Sequence, residues 1–165
     1  ARSGKSRLAE KLASDSALPV IYIATSQPLD GEMKARVASH RERRPDHWGL
    51  IEEPVELARV LRENAAPGRC LLVDCLTLWL TNLLMLEDAE RLAFERDQLL
   101  ETLATLPGEI IFVSNETGMG VVPLGELTRR YVDEAGWLHQ ALAECCQRVV
   151  LTVAGLPLTL KGTVL

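Results

Sequence analysis

The sequence has no excess of positive charge. Its 165 residues include 18 Lys and Arg against 23 Asp and Glu, a net charge of -5. General nucleic-acid binding is thereby disfavoured, because nonspecific affinity comes from neutralising phosphates. Any phosphate site must be a local concentration of cations. Cysteine is sparse, and Cys70, Cys75, Cys145 and Cys146 form no C-x-x-C pair and have no accompanying His ligands. That argues against a zinc site or a disulfide framework, and leaves reduced, mostly buried thiols in a cytoplasmic protein. The longest apolar run, "CLTLWLTNLLML", contains Thr and Asn and is too short to span a bilayer. No signal peptide, internal repeat, low-complexity linker or second domain is recognisable, so residues 1–165 are expected to form one domain.

Against these absences stands an ordinary globular composition, 47% hydrophobic and 25% charged. Apolar runs and amphipathic segments alternate along the chain. "GKSRLAEKLAS" is predicted to be helical, with Leu8 and Leu12 on one face. "PVIYIAT" reads as a buried strand. "DGEMKARVASHRERR" reads as a helix from an Asp30 cap to a stop at Pro45. "HWGLIEE" is expected to be a short strand, and "PVELARVLREN" a helix with Pro54 in its first turn. "RCLLVDC", "EIIFVSNE" and "RVVLTVAG" read as further strands. "LTLWLTNLLML", "EDAERLAFERDQLLETLATL" and "ELTRRYVDEAGWLHQALAECC" read as helices, the last weakened at Gly136. The tail "LPLTLKG" is expected to be a loop or edge segment. Alternation of this kind predicts an α/β fold with a mainly parallel sheet covered on both faces.

The opening "ARSGKSRLAEKLA" matches the second half of a phosphate loop, G-x-x-x-x-G-K-[ST], where Gly4-Lys5-Ser6 runs into a helix. A loop of this kind follows a central strand, so a preceding strand and at least one glycine are expected to be absent from the chain. Backbone N–H groups at the helix start would hold phosphate oxygens. Lys5 would add charge over the terminal phosphates, and the Ser6 hydroxyl suits Mg²⁺. Asp74 ends the apolar run "LLVDC", the place for an acid that holds the same Mg²⁺ shell. Arg36, His40 and Arg43 share one helix face, flanked by Arg41 and Arg44. That pattern suits either a solvated basic face or an arginine lid over transferred phosphate. His40, neutral in part at pH 7, is also a competent nucleophile at phosphorus. His47 and His139 are weaker candidates, the first in a turn beside Trp48 and the second on a helix face. "SNETGMGVVP" follows a strand with two glycines and the Asn115-Glu116 pair. A structural turn and a ligand loop are equally open there.

Together "ARSGKSR", "YIATSQPLDGEM", "HRERRPDHW", "LLVDCLTLWLTNLL" and "SNETGMGVVP" resemble, in order and across nearly the whole chain, the bifunctional adenosylcobinamide kinase/adenosylcobinamide-phosphate guanylyltransferases of cobalamin biosynthesis. The resemblance implies a RecA-like, three-layer P-loop fold. It implies phosphorylation of adenosylcobinamide from ATP or GTP, with Mg²⁺, followed by GMP transfer from GTP through a guanylylated histidine. The products would be adenosyl-GDP-cobinamide and pyrophosphate. The family histidine falls on His40. Its nucleotide contacts fall on Ala1, Arg2, Ser3, Gly4, Lys5 and Ser6, on Ala24, Thr25 and Ser26, on Arg41, Glu42, Arg43 and Arg44, on Glu52 and on Asp74. A homo-oligomer, typically a trimer, is implied as well. The rival reading is a simple P-loop small-molecule kinase without a covalent histidine. A switch GTPase is disfavoured by the lack of an N-K-x-D segment.

Overall fold

The computed structural model describes residues 2–27 and 45–164. Among them the order is α1 (Lys5–Asp15), β1 (Val20–Ala24), β2 (Gly49–Glu52), α2 (Leu57–Asn64), β3 (Cys70–Asp74), α3 (Leu76–Met85), α4 (Ala89–Leu103), β4 (Glu109–Val113), α5 (Glu126–Cys145), β5 (Val149–Val153) and β6 (Leu156–Lys161). The first four strands form an all-parallel sheet in the order β2-β1-β3-β4. This is the α/β architecture expected of alternating strands and helices. The segment 28–44, with its expected helix, lies outside the described residues.

Strand alternation divides the core in two. Ile23, Leu71 and Val73 point to a face covered by Leu57 and Leu61 of α2, Trp79 and Leu83 of α3, Leu92 and Leu99 of α4, and Leu138 and Leu142 of α5. Tyr22, Cys70, Leu72 and Val113 point to the other face, under Ala9 and Ala13 of α1. With both faces buried, a strand such as "CLLVD" has no polar-out positions, which is why it reads as a continuous apolar run. Burying one such leucine side chain stabilises the fold by about 1.5–3 kcal/mol.

Three local features depart from expectation. α2 starts at Leu57, three residues beyond Pro54, because the Glu53 carboxylate accepts the backbone N–H of Val55 and Glu56 at 2.9 Å each and turns the chain first. Gly136 leaves α5 continuous over 20 residues. The tail "LPLTLK" is strand β6, antiparallel to β5 across a two-residue turn at Ala154-Gly155. Both turn residues have positive φ, 52° and 81°, as tight hairpins of this length require. Pro157, which cannot donate a ladder bond, is tolerated in this two-stranded sheet, where each strand has a free edge. The hairpin is hydrogen-bonded apart from the four-stranded sheet, not as its continuation.

Candidate nucleotide site

Gly4 stands immediately before α1 in the left-handed region, φ 95°, and no side chain caps the helix. The first N–H groups of α1 are therefore open to an anion, and the helix dipole adds to their pull. They face a hollow of about 470 Å³ whose walls are residues 2–7 and the Ala154-Gly155 turn. Arg2, Lys5 and Arg7 all line it. Three cations around one cavity, in a chain of net charge -5, are the local positive concentration that a phosphate site needs.

The hairpin turn fixes the loop's other side. Gly155 N–H donates to the Ser3 carbonyl at 2.8 Å. A Cβ on Gly4 would lie 3.1 Å from the Gly155 Cα. Gly4 is thus required twice, by its φ and by the approach of the hairpin backbone. The Ala-Gly pair between two apolar runs was the sequence signal for this turn.

The carboxyl ends of the strands form a row beside the loop. In register, Ala24 pairs with both Glu52 and Asp74, and Asp74 with Val113. Asp74 lies on the α1 face, by the same alternation that places Tyr22 there, and the two side chains are hydrogen-bonded. Burial, and next the Asp74 charge, push the Tyr22 phenol well above its ordinary range, so it stays a neutral donor that orients the carboxylate. Burial and the Asp74 charge likewise raise the Cys75 thiol, while the Lys5 charge acts in the opposite direction. Lys5 and Asp74 therefore converge on one corner of the sheet.

Thr25 is fully buried, and its hydroxyl is already engaged: Oγ1 donates to the Cys75 carbonyl at 2.7 Å and accepts the Cys75 N–H at 3.0 Å. Its carbonyl accepts from Asn82 of α3 at 2.7 Å. Thr25 thus locks the end of β1 to the residue after Asp74. Ser26 is half-buried and Glu52 exposed at the end of β2. Ala1, Arg36, His40, Arg41, Glu42, Arg43 and Arg44 lie outside the described residues. His47 is exposed beside buried Trp48.

Two features escaped the sequence reading entirely: the Tyr22–Asp74 contact and a linkage of Ser114, His139 and Glu116 at the end of β4. Partners that meet only through the fold leave no spacing signal. Among the thiols, Cys70 and Cys75 are buried, Cys146 is half-buried, and Cys145 is exposed, which corrects the expectation for that residue.

No group of three or more His, Cys, Asp or Glu capable of holding a metal occurs among the described residues. Mg²⁺ with a nucleotide needs less, one or two protein oxygens beside phosphates and water. The Ser6 hydroxyl and Asp74 carboxylate are hard oxygen donors of that kind. No helix among the described residues is long and apolar enough to cross a membrane.

Residues 1–160 match the family model described as cobinamide kinase / cobinamide phosphate guanyltransferase. The chain is 70% identical to the bifunctional adenosylcobalamin biosynthesis protein CobP of Pseudomonas aeruginosa over 162 residues, 98% of this chain and 94% of that protein. It is 38% and 40% identical to the bifunctional adenosylcobalamin biosynthesis proteins CobU of Escherichia coli and Salmonella typhimurium, in each case over 98% of this chain and 96% of the relative. A phosphate loop at the start of α1, an acid at the end of β3 and these matches over the whole length agree: the chain belongs to the cobinamide kinase / cobinamide phosphate guanyltransferase family of bifunctional enzymes.

Proposed function

We propose that the protein phosphorylates the hydroxyl of adenosylcobinamide with ATP or GTP, then transfers GMP from GTP to that phosphate through a covalent intermediate on His40. The observation that carries this reading is the convergence of Lys5, the open α1 N-terminus and Asp74 on one corner, in a chain of this family. In the first reaction the substrate alcohol attacks the γ-phosphorus and a nucleoside diphosphate leaves. In the second, an imidazole nitrogen of His40 attacks the α-phosphorus of GTP. A nitrogen–phosphorus bond forms, the bond to the bridging oxygen breaks, and pyrophosphate departs with the electron pair. A phosphate oxygen of adenosylcobinamide phosphate then attacks the same phosphorus and releases the imidazole.

One cradle serves both reactions. Lys5 and the α1 N–H groups hold the terminal phosphates, as the transferred group in the first and as the leaving group in the second. Ser6 and Asp74 would hold Mg²⁺, whose role there is to neutralise phosphate charge. Arg41, Arg43 and Arg44 neutralise the crowded phosphoryl oxygens beside His40. A covalent histidine divides GMP transfer into two in-line steps, so GTP and the bulky corrinoid need not be aligned together. Ala24, Ser26 and Glu52 lie along the same sheet edge, where they can meet the rest of the nucleotide; Thr25 contributes by fixing that edge.

A cytoplasmic homo-oligomer, a trimer by family resemblance, belongs to the same reading. Met119, Val121, Val122 and Leu124 are exposed in one segment after β4, an apolar surface suited to contact between copies.

Intact-protein mass after incubation with GTP and Mg²⁺ tests the covalent step. The wild type is expected to gain one GMP, lost on acid treatment as nitrogen–phosphorus bonds are. His40→Ala is expected to gain none while still phosphorylating adenosylcobinamide. GMP captured by His40→Ala would point to another nucleophile, and a wild type that phosphorylates adenosylcobinamide without ever gaining GMP would favour the simple-kinase alternative.

A further inference from the structure

Ser114 is the first residue past β4, at the carboxyl edge of the sheet. Its Oγ lies 2.7 Å from His139 Nε2 on α5, and His139 Nδ1 lies 3.7 Å from a Glu116 carboxylate oxygen. A carboxylate beside Nδ1 favours the tautomer that carries its proton there. Nε2 is then an acceptor, and Ser114 donates its one proton to it. Three neighbouring bonds hold the segment in place. Asn115 donates through its backbone N–H and its Nδ2 to Thr77 Oγ1, at 3.0 and 2.9 Å, and the other Glu116 oxygen accepts the Gly118 N–H at 2.5 Å. Thr77 also bonds the Cys75 thiol, next to Asp74. The cluster is thus continuous with the nucleotide corner.

It occupies the opposite side of that corner. Ile111 and Val113 pack on the α1 face, whereas Ile110 and Phe112 pack on the other, so alternation puts Ser114 on the face away from α1. Phosphates bound at the α1 N-terminus would therefore be approached from the Ser114 side by an incoming group. Ser114 is also the wrong partner for phosphate. Its proton is committed to His139, and the Glu116 carboxylate lies close behind. The serine oxygen retains lone pairs only, and a ligand that uses them must bring a donor. The alcohol that a kinase phosphorylates is a donor of that kind.

We propose that Ser114 is the acceptor-alcohol residue of the kinase reaction, hydrogen-bonded to the hydroxyl about to be phosphorylated, and that His139 is the positioning residue that fixes its rotamer. This rests on the function proposed above. With its proton directed at Ser114, the alcohol oxygen keeps a lone pair aimed at the γ-phosphorus. The oxygen–phosphorus bond forms, the bond from the γ-phosphorus to the bridging oxygen breaks, and the nucleoside diphosphate leaves with that electron pair. In a loose transition state the alcohol proton is lost late, and it departs to solvent. Aim therefore matters more than basicity, and an amide that can accept at the same place should replace His139.

The test uses the full-length protein with Ser114→Ala, His139→Gln and His139→Leu. It measures single-turnover phosphorylation of adenosylcobinamide at saturating ATP, the KM for ATP, GMP capture from GTP, and Tm. Ser114→Ala and His139→Leu are expected to slow phosphorylation about 10²-fold, the usual cost of misaiming a reacting group, with the KM for ATP and GMP capture unchanged. His139→Gln is expected to stay within a few-fold of wild type. Full-rate phosphorylation by Ser114→Ala would overturn the proposal, as would parallel loss of both reactions with a lowered Tm. His139→Gln as slow as His139→Leu would overturn the positioning role. A wild type that turns over no adenosylcobinamide would instead contradict the function proposed above.

Discussion

Thr25 shows how a candidate site residue can act through the backbone it holds. Its hydroxyl satisfies both backbone groups of Cys75 in a place with no water, 0% exposed. Since Cys75 follows Asp74, these two bonds hold the carboxylate's backbone at the sheet edge. Thr25→Val keeps the shape but strands the buried Cys75 N–H, at about 1–3 kcal/mol, while the Cys75 carbonyl keeps the Trp79 N–H at 3.2 Å. Urea unfolding should show a loss in that range for Thr25→Val and a much smaller one for Thr25→Ser. An unchanged midpoint for Thr25→Val would mean that the bonds contribute nothing. From the sequence, "ATS" was readable only as a ligand segment through family resemblance. Its structural role depends on Cys75, 50 positions away. Lys5, Ser6 and Asp74, by contrast, were readable because each sits at a position set by its own element: the first turn of a helix or the last residue of a strand. Tyr22 looked like any aromatic in an apolar strand, since nothing local told of Asp74 across the ladder.

At the level of elements, the central strands β1 and β3 were evident because burial on both faces leaves almost only apolar residues in them. Helix α2 was placed three residues early because Pro54 is a common first-turn residue, while the carboxylate turn made by Glu53 had no spacing signature. The tail that forms β6 was readable as a loop or edge segment, and pairing with β5 makes it an edge strand, where Pro157 needs no N–H donor. Strand β3 also carries a titration that reports its burial. Desolvation, and next the charge of Glu109, push the Cys70 thiol up to about 11 from an ordinary 9.0. The folded state then keeps this proton at a pH where the unfolded chain has lost it. Stability contributed by Cys70 is full below about pH 9 and falls as pH rises towards 11. Comparing wild type with Cys70→Ala by urea unfolding at pH 8 and pH 10.5 isolates the effect. The difference in unfolding free energy between the two should shift against wild type at the higher pH. An identical difference at both pH values would mean that the thiol is not desolvated as its position at 0% exposure implies.

The molecule as a whole gathers its candidate site residues at one edge. The α1 N-terminus, with Lys5 and Ser6, approaches from one face of the sheet, and Ser114, His139 and Glu116 lie on the other, with Asp74 between. The β5–β6 turn closes the hollow from the side. On the proposed function, terminal phosphates held at one place would let two different attacking groups run two transfers from one nucleotide site. The choice of reaction then depends on which phosphorus is attacked and by what. The most direct measurement is mass analysis of the products when full-length protein is incubated with adenosylcobinamide, GTP and Mg²⁺. A bifunctional enzyme yields adenosylcobinamide phosphate first and then adenosyl-GDP-cobinamide, with GDP released in the first step and pyrophosphate in the second. Accumulation of adenosylcobinamide phosphate alone, or GTP consumption with no change in the corrinoid, would contradict that account.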